Sequence, residues 1–439
     1  MSSTRRRPVY FNSTSSQSLG NAPSDAVLKF HQNLPHYRQT PLISLDALTK
    51  ELGIKAVYIK DESHRLHLSS FKILGASWGT FRAIAAKTGL PVDTTLDALS
   101  DAAIKQSITL YAATDGNHGR AVAYMAKLLR IKAEIFVPGS LDDAARARIA
   151  SEGANVTAVY DSYDAAVEAA SVAAASVPSG LLIQDTAFDG YEEIPAWITE
   201  GYATMVREID LQLEEKNIEA TMVITPVGVG SLAQAVVSHY KSAGRQTPVV
   251  SVEPDTAACL YKNLRSGNCL PLKTFHTIMN GLDCGTVSST AWPILRAGVD
   301  ASVTISDFES HQAVQYLASQ GVNSGPCGAA SVAALRRIAQ KKPLDPDTVV
   351  VLLSTEGPRP YPEPHDVSCE DPAALADLLE SIAASSPAIN TSRTALKTYI
   401  AAWLEHRDLG TGQLNDYVYG NASLTDVAAS MVSLLLSEA

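Results

Sequence analysis

Residues 69–76 read Ser-Ser-Phe-Lys-Ile-Leu-Gly-Ala, a run in which Lys72 is the one charged group. Two hydroxyls precede it, and apolar residues with a glycine follow. An ammonium in such a setting is poorly hydrated, so its pKa is expected to fall toward the range where the free amine is a nucleophile. An imine with an aldehyde cofactor requires that chemistry. The alternative is a lysine whose stem lies on apolar surface while its head reaches water.

Outward from this segment the chain alternates short β-branched runs with longer helical patterns, the signature of α/β units and a mainly parallel sheet. Val122, Met125, Ala126 and Leu129 follow i, i+3, i+4, i+7 spacing and predict one apolar helical stripe. Strands are expected at 135–137, 156–159, 181–183, 222–224, 249–252, 303–305 and 349–353. Helices are expected at 145–150, 163–177, 231–241, 307–320, with Ser306 as N-cap, and 329–340. Beyond Asp366 the texture becomes Ala/Leu/Ser-rich without strand signals and reads as a C-terminal helical tail.

Four stretches can carry chemistry. Thr225-Pro-Val-Gly-Val-Gly-Ser-Leu232 follows a strand and opens a helix, where free N–H groups and close backbone approach suit a phosphate. It is neither a Walker loop nor a dinucleotide fingerprint, and a ligand-free βα turn is the alternative. Ala113-Thr-Asp-Gly-Asn-His-Gly-Arg120 offers Asp115 as a base and Asn117 as a donor, although Asp and Asn also cap helices without further purpose. His118 in the same loop suits a structural role equally well. Asp185 stands just beyond the apolar strand at 181–183, where ligands of open α/β sheets gather. Partial desolvation there is expected to raise its pKa for proton abstraction, against the plainer reading of a turn residue. Ser354 and Thr355 offer hydroxyls at another strand end, and an uncharged partner to a pyridine nitrogen suits β-elimination better than transamination.

The bulk properties narrow the partners. With 35 basic and 46 acidic residues among 439, the net charge is −11, which argues against nucleic acid bound through its phosphates. The length suffices for two or more structural units. No apolar run approaches the ~20 residues that span a bilayer, so no membrane partner is expected. Cys259, Cys269, Cys284, Cys327 and Cys369 are scattered without a Cys-x-x-Cys, which fits free thiols in the cytoplasm and no structural metal. Arg5-Arg6-Arg7 and many serines precede the first acidic residue, Asp25. Pro8 and the Asn/Ser-rich run after it build no amphipathic helix, so the segment reads as a mobile arm rather than a transit peptide.

Together these features resemble the fold-type II (tryptophan synthase beta-like) pyridoxal-phosphate enzymes, and within them the diaminopropionate ammonia-lyases. The likeness runs over roughly residues 30 to 360. It is carried by Phe30 to Pro35, Tyr37-Arg38, Thr40-Pro41-Leu42, Ser70-Phe71-Lys72, the Thr114 to Gly119 loop and Gln184-Asp185-Thr186-Ala187. Gly190-Tyr191-Glu192, Ile194-Pro195, Trp197, Gly201-Tyr202, the Gly228 to Leu232 loop, Thr277-Ile278-Met279 with Gly281-Leu282 and Cys284-Gly285, and Ser354 to Gly357 continue it. The resemblance implies an α/β fold of two domains with mainly parallel sheets. A large cofactor-binding domain would comprise residues 1–88 and 188–365, a small inserted one 89–187, and a helical extension 366–439.

It further implies pyridoxal 5'-phosphate as cofactor, held through the amine of Lys72. Gly228, Val229, Gly230, Ser231 and Leu232 would surround its phosphate, Asn117 would meet the phenolic oxygen, and Thr355 or else Ser354 the pyridine nitrogen. Asp115 and Asp185 would be the acid/base pair, which in this family serves opposite substrate enantiomers. The implied reaction is α,β-elimination from the small amino acid 2,3-diaminopropionate, giving pyruvate and ammonia, in a homodimer. A serine/threonine dehydratase reading and a catalytically silent binding relative are the alternatives. One departure bears on specificity: Ser324-Gly-Pro-Cys-Gly328 stands where the family is expected to read Ser-Gly-Glu-Ser-Gly.

Overall fold

The computed structural model describes residues 9–13, 15, 19, 25–114, 116–139, 141–160, 163–272, 274 and 277–364, with 163 and 164 described by backbone alone. Among these residues eleven strands form two sheets. They are β1 (Val9–Phe11), β2 (Leu42–Ser44), β3 (Ala56–Asp61), β4 (Thr109–Ala113), β5 (Lys132–Pro138) and β6 (Asn155–Val159). β7 (Gly180–Leu182), β8 (Met222–Pro226), β9 (Val249–Pro254), β10 (Ala301–Ile305) and β11 (Val349–Ser354) complete the set.

The larger sheet runs β1-β10-β9-β8-β11-β3-β2, and the smaller runs β6-β5-β4-β7. The smaller sheet is parallel throughout. In the larger one only the edge strands β1 and β2 run antiparallel to their neighbours. Val349 to Leu353 are an unbroken apolar run, and every residue of β11 is buried. That is what a strand covered on both faces demands.

The apolar stripe read at 122–129 lies on the helix Asn117–Leu128 and its C-cap, and all four residues are buried. Ser306 caps the helix Asp307–Ser319 as expected: its hydroxyl accepts from Glu309 N–H at 3.2 Å, while the Glu309 carboxylate accepts from Ser306 N–H at 2.9 Å. One expectation fails. Val9–Phe11, read as part of a mobile arm, form the edge strand β1, with Tyr10 opposite Ser302. Alternating Val-Tyr-Phe side chains and an open edge on β10 outweigh the polar flanks. The expected helical tail lies outside the described residues, as does most of the N-terminal segment.

Two helices set the position of the lysine. Lys72–Thr88 crosses Glu193–Gly201 at unusually short range. A Cβ on Gly79 would stand 2.4 Å from Ile198 Cγ1, and one on Gly201 2.5 Å from the Leu74 carbonyl. Glycine is therefore required at both places, and the crossing fixes the helix that begins at Lys72.

Candidate active site

Lys72 is the first residue of its helix, and strand-end backbone holds it there. Phe71 N–H donates to the Thr355 carbonyl at 3.1 Å, and Gly357 N–H donates to the Ser69 carbonyl at 2.8 Å. Ser70 and Glu356 form a bridge between these two bonds. The segment that follows β11 thus grips the segment that precedes the lysine.

The Lys72 ammonium donates to Asp185 Oδ2. Asp185 follows β7, through Ile183, whose N–H bonds the Tyr111 carbonyl at 2.7 Å. Asp185 is 2% exposed. Burial alone would raise its pKa, but the Lys72 charge outweighs burial and holds it at about 2, a lowering to which His118 would add only as a cation. The expected upward shift is therefore reversed in this state, because the lysine stands within ion-pair distance. His118 lies beneath the pair, with Nε2 2.7 Å from the Ile183 carbonyl and Nδ1 3.8 Å from Asp185 Oδ2.

Opposite Lys72, the loop after β8 opens the helix Ser231–Tyr240. Gly230 has φ +98°, and a Cβ there would stand 2.9 Å from Leu295 Cδ1. A Cβ on Gly228 would stand 2.8 Å from the Gly281 carbonyl. Both positions therefore exclude side chains. Backbone N–H groups at a helix start are left to face the cavity, an arrangement suited to a phosphate dianion.

The amide of Asn117 donates to Glu356 Oε2 at 2.9 Å, and Glu356 Oε1 accepts from Cys327 N–H at 3.3 Å. Pro326 opens the helix Pro326–Lys341, so the substituted Pro-Cys pair sits at a helix N-terminus that Glu356 caps. These groups enclose a cavity of about 600 Å³.

Lys72, Asn117, Asp185, Gly228, Val229, Gly230, Ser231, Leu232 and Thr355 all line that cavity. Ser354 is not on its wall; its hydroxyl is buried and donates to Ser324 Oγ at 2.8 Å. Asp115 lies outside the described residues. Sequence reasoning gave no role to Glu356, nor to Arg359 and Tyr361, which also line the wall. Glu356 stands beside the two hydroxyls already singled out, and that adjacency was the available signal. Among the described residues no group of three or more His, Cys, Asp and Glu is placed to hold a metal, and no helix is long and apolar enough to cross a membrane.

The cavity fits the expected cofactor. An amine, a side-chain-free cradle at a helix start, an amide donor and a buried hydroxyl at Thr355 meet in one space. Behind the wall, Tyr202 is fully buried against Phe71, at 4.9 Å between ring centroids.

Comparison with known proteins identifies the family. A model of the family described as pyridoxal-phosphate dependent enzymes matches residues 34–355. Diaminopropionate ammonia-lyase of Salmonella typhimurium is 34% identical over 377 residues, spanning 80% of this chain and 93% of that protein. Its Escherichia coli counterpart is 31% identical, spanning 84% and 96%. The crystal structure of the Escherichia coli enzyme with D-serine superposes with a TM-score of 0.74 at 29% identity, covering 80% of this chain and 94% of that one. Another, with an aminoacrylate-PLP azomethine reaction intermediate, gives 0.73 with the same identity and coverage.

Proposed function

This chain belongs to the pyridoxal-phosphate dependent enzymes and, within them, to the diaminopropionate ammonia-lyases, and we propose from that premise that it eliminates ammonia from 2,3-diaminopropionate to give pyruvate and a second ammonia. It is a carbon–nitrogen lyase of fold type II that uses pyridoxal 5'-phosphate. When bound, that cofactor supplies a pyridine ring able to accept the electron pair released as the Cα–H bond breaks.

The chain's own residues supply the rest. Lys72 would hold the cofactor through its amine, and Gly228, Val229, Gly230, Ser231 and Leu232 would receive the phosphate on backbone donors and the Ser231 hydroxyl. Asn117 would orient the phenolic side, itself held by Glu356. Thr355 would face the ring nitrogen as an uncharged partner; Ser354 is less suited, since its hydroxyl already bonds Ser324. Asp185 would move the Cα proton: once the lysine amine is engaged, the charge that depresses its pKa is no longer opposite, and burial pulls the pKa up. Asp115 would be the second base, on the sequence resemblance alone.

We further read residues 1–88 and 188–365 as a cofactor-binding domain and 89–187 as an inserted one. The separate sheet formed by β4, β5, β6 and β7 supports that division. A homodimer in the cytoplasm completes the reading, supported by the free thiols of the described cysteines and by the family likeness.

The observation that carries the proposal is the Lys72–Asp185 pair facing the glycine cradle across one cavity. Pyruvate release measured side by side on diaminopropionate and serine tests it. Diaminopropionate is expected to give the higher kcat/KM, and a clear preference for serine would overturn the choice of leaving group.

A further inference from the structure

His118 makes a contact that fixes where its proton is. Its Nε2 lies 2.7 Å from the Ile183 carbonyl, which has no hydrogen to give, so Nε2 must carry the ring N–H. Only 3% of the residue is exposed, burial lowers its pKa against the pull of Asp185, and an N–H on Nδ1 would close on the carboxylate that instead stays 3.8 Å away, so the ring is neutral. Nδ1 is consequently a bare lone pair. It has no hydrogen-bond partner, and the nearest acidic oxygen is Asp185 Oδ2, 3.8 Å away. Among the described residues, Asp185 and Lys72 are the charged groups that act on it.

Two acceptors facing each other explain the gap. While Asp185 is ionised and paired with Lys72, nothing draws its oxygen toward Nδ1. A proton on that oxygen turns it into a donor with an acceptor waiting. We propose that His118 is a positioning residue whose bare Nδ1 accepts the hydrogen bond of Asp185 whenever that carboxyl carries a proton. This rests on the reading of Asp185 as the acid/base group. The proton moves from substrate Cα to Asp185 Oδ2 and later leaves the same oxygen, while the imidazole neither gains nor loses one. By favouring the neutral carboxyl, His118 keeps Asp185 basic enough to take a proton and holds it in one orientation.

Two substitutions separate this role from plain packing. His118→Gln places an amide N–H where Nε2 reaches Ile183 and leaves nothing at Nδ1. His118→Asn places a carbonyl oxygen near Nδ1 and gives up the Ile183 contact. In the holoenzyme, His118→Gln is expected to lower kcat about tenfold, the scale of one lost hydrogen bond, with KM and pyridoxal-phosphate affinity unchanged. The acid limb of its kcat/KM profile, the one removed by Asp185→Asn, should move about 0.5 to 1 unit lower, while His118→Asn leaves the limb in place.

Histidine-labelled holoenzyme should show the Nε2–H form of His118 in its 15N spectrum, a reading that does not depend on any variant folding. An unshifted limb in His118→Gln beside an inactive Asp185→Asn enzyme, or a protonated Nδ1, overturns the proposal. A fully active Asp185→Asn enzyme instead sinks the acid/base reading beneath it.

Discussion

Arg65 and Lys72 stand on one stretch of chain between β3 and the first long helix, yet the charges around them are arranged in opposite ways. Around Arg65 every valence is used. Its guanidinium donates to both oxygens of Glu62, at 2.8 and 2.7 Å, to both oxygens of Glu208, each at 2.7 Å, and to the Thr40 hydroxyl at 2.8 Å. Lys60 adds contacts to Glu208 at 2.7 Å, the Thr40 carbonyl at 2.8 Å and Gln212 at 2.9 Å. Two cations meet two carboxylates with no water-facing atom to spare, and although burial alone would raise the pKa of Glu208, Arg65 and Lys60 hold it at about 2.

Lys72 instead stands on the wall of a cavity. Its ammonium has Asp185, but the lysine side chain is 20% exposed to a cavity, and the neighbouring imidazole nitrogen has nothing to bind. A closed network orders a loop. An open one has room for a substrate, and its protons can move.

The largest effect that tests this contrast is Lys72→Ala. It should abolish pyruvate formation, by at least ~10³-fold, as loss of an activated nucleophile does. The expected absorbance of the bound cofactor near ~410–420 nm should vanish with it. Unfolding free energy should fall by less than for the second variant, because Asp185 can take up a proton beside a wet cavity.

That second variant is Arg65→Met, which strands two buried carboxylates and should cost about 3–5 kcal/mol by urea unfolding. Enzyme that remains folded should keep its turnover. If Arg65→Met left stability intact and removed activity, the division of labour drawn here would be wrong.

The smallest effect is in pH. In the cofactor-free protein the pKa of Asp185 is lowered from 3.8 to about 2. Its pairing thus contributes stability that is present above pH ~4 and is lost as pH falls toward 2, on the order of 2 kcal/mol. Asp185→Asn should flatten that part of the acid-unfolding curve, and an unchanged curve would break the assignment.

What could be read in advance follows the same line. Local patterns carried the strands β5, β6, β8, β9, β10 and β11, and β9, β10 and β11, rich in β-branched residues and buried at every position, have one physical outlet in a doubly covered sheet. The lysine, the glycine cradle and Asp185 were legible because each sits at a strand end or helix start with its own local signature. Glu62, Arg65 and Glu208 were not, since Arg65 and Glu208 are 143 positions apart and nothing in either neighbourhood announces the other. The depressed pKa of Asp185 was misjudged for a related reason. Burial is visible in an apolar strand, but the cation that overrides it arrives from 113 positions away. The strand β1 escaped notice because three residues with polar flanks acquire meaning only from the edge they cover.

The place of β11 in the larger sheet has a consequence for how this molecule is made. It joins β8 on one side to β3 on the other, yet it is the last of the eleven strands to leave the ribosome. Until it emerges, the two halves of that sheet have no ladder between them, whereas β4 to β7 already possess all their partners. Assembly of the catalytic crevice therefore waits for the last of these strands to be synthesised, whereas the smaller sheet can form ahead of it.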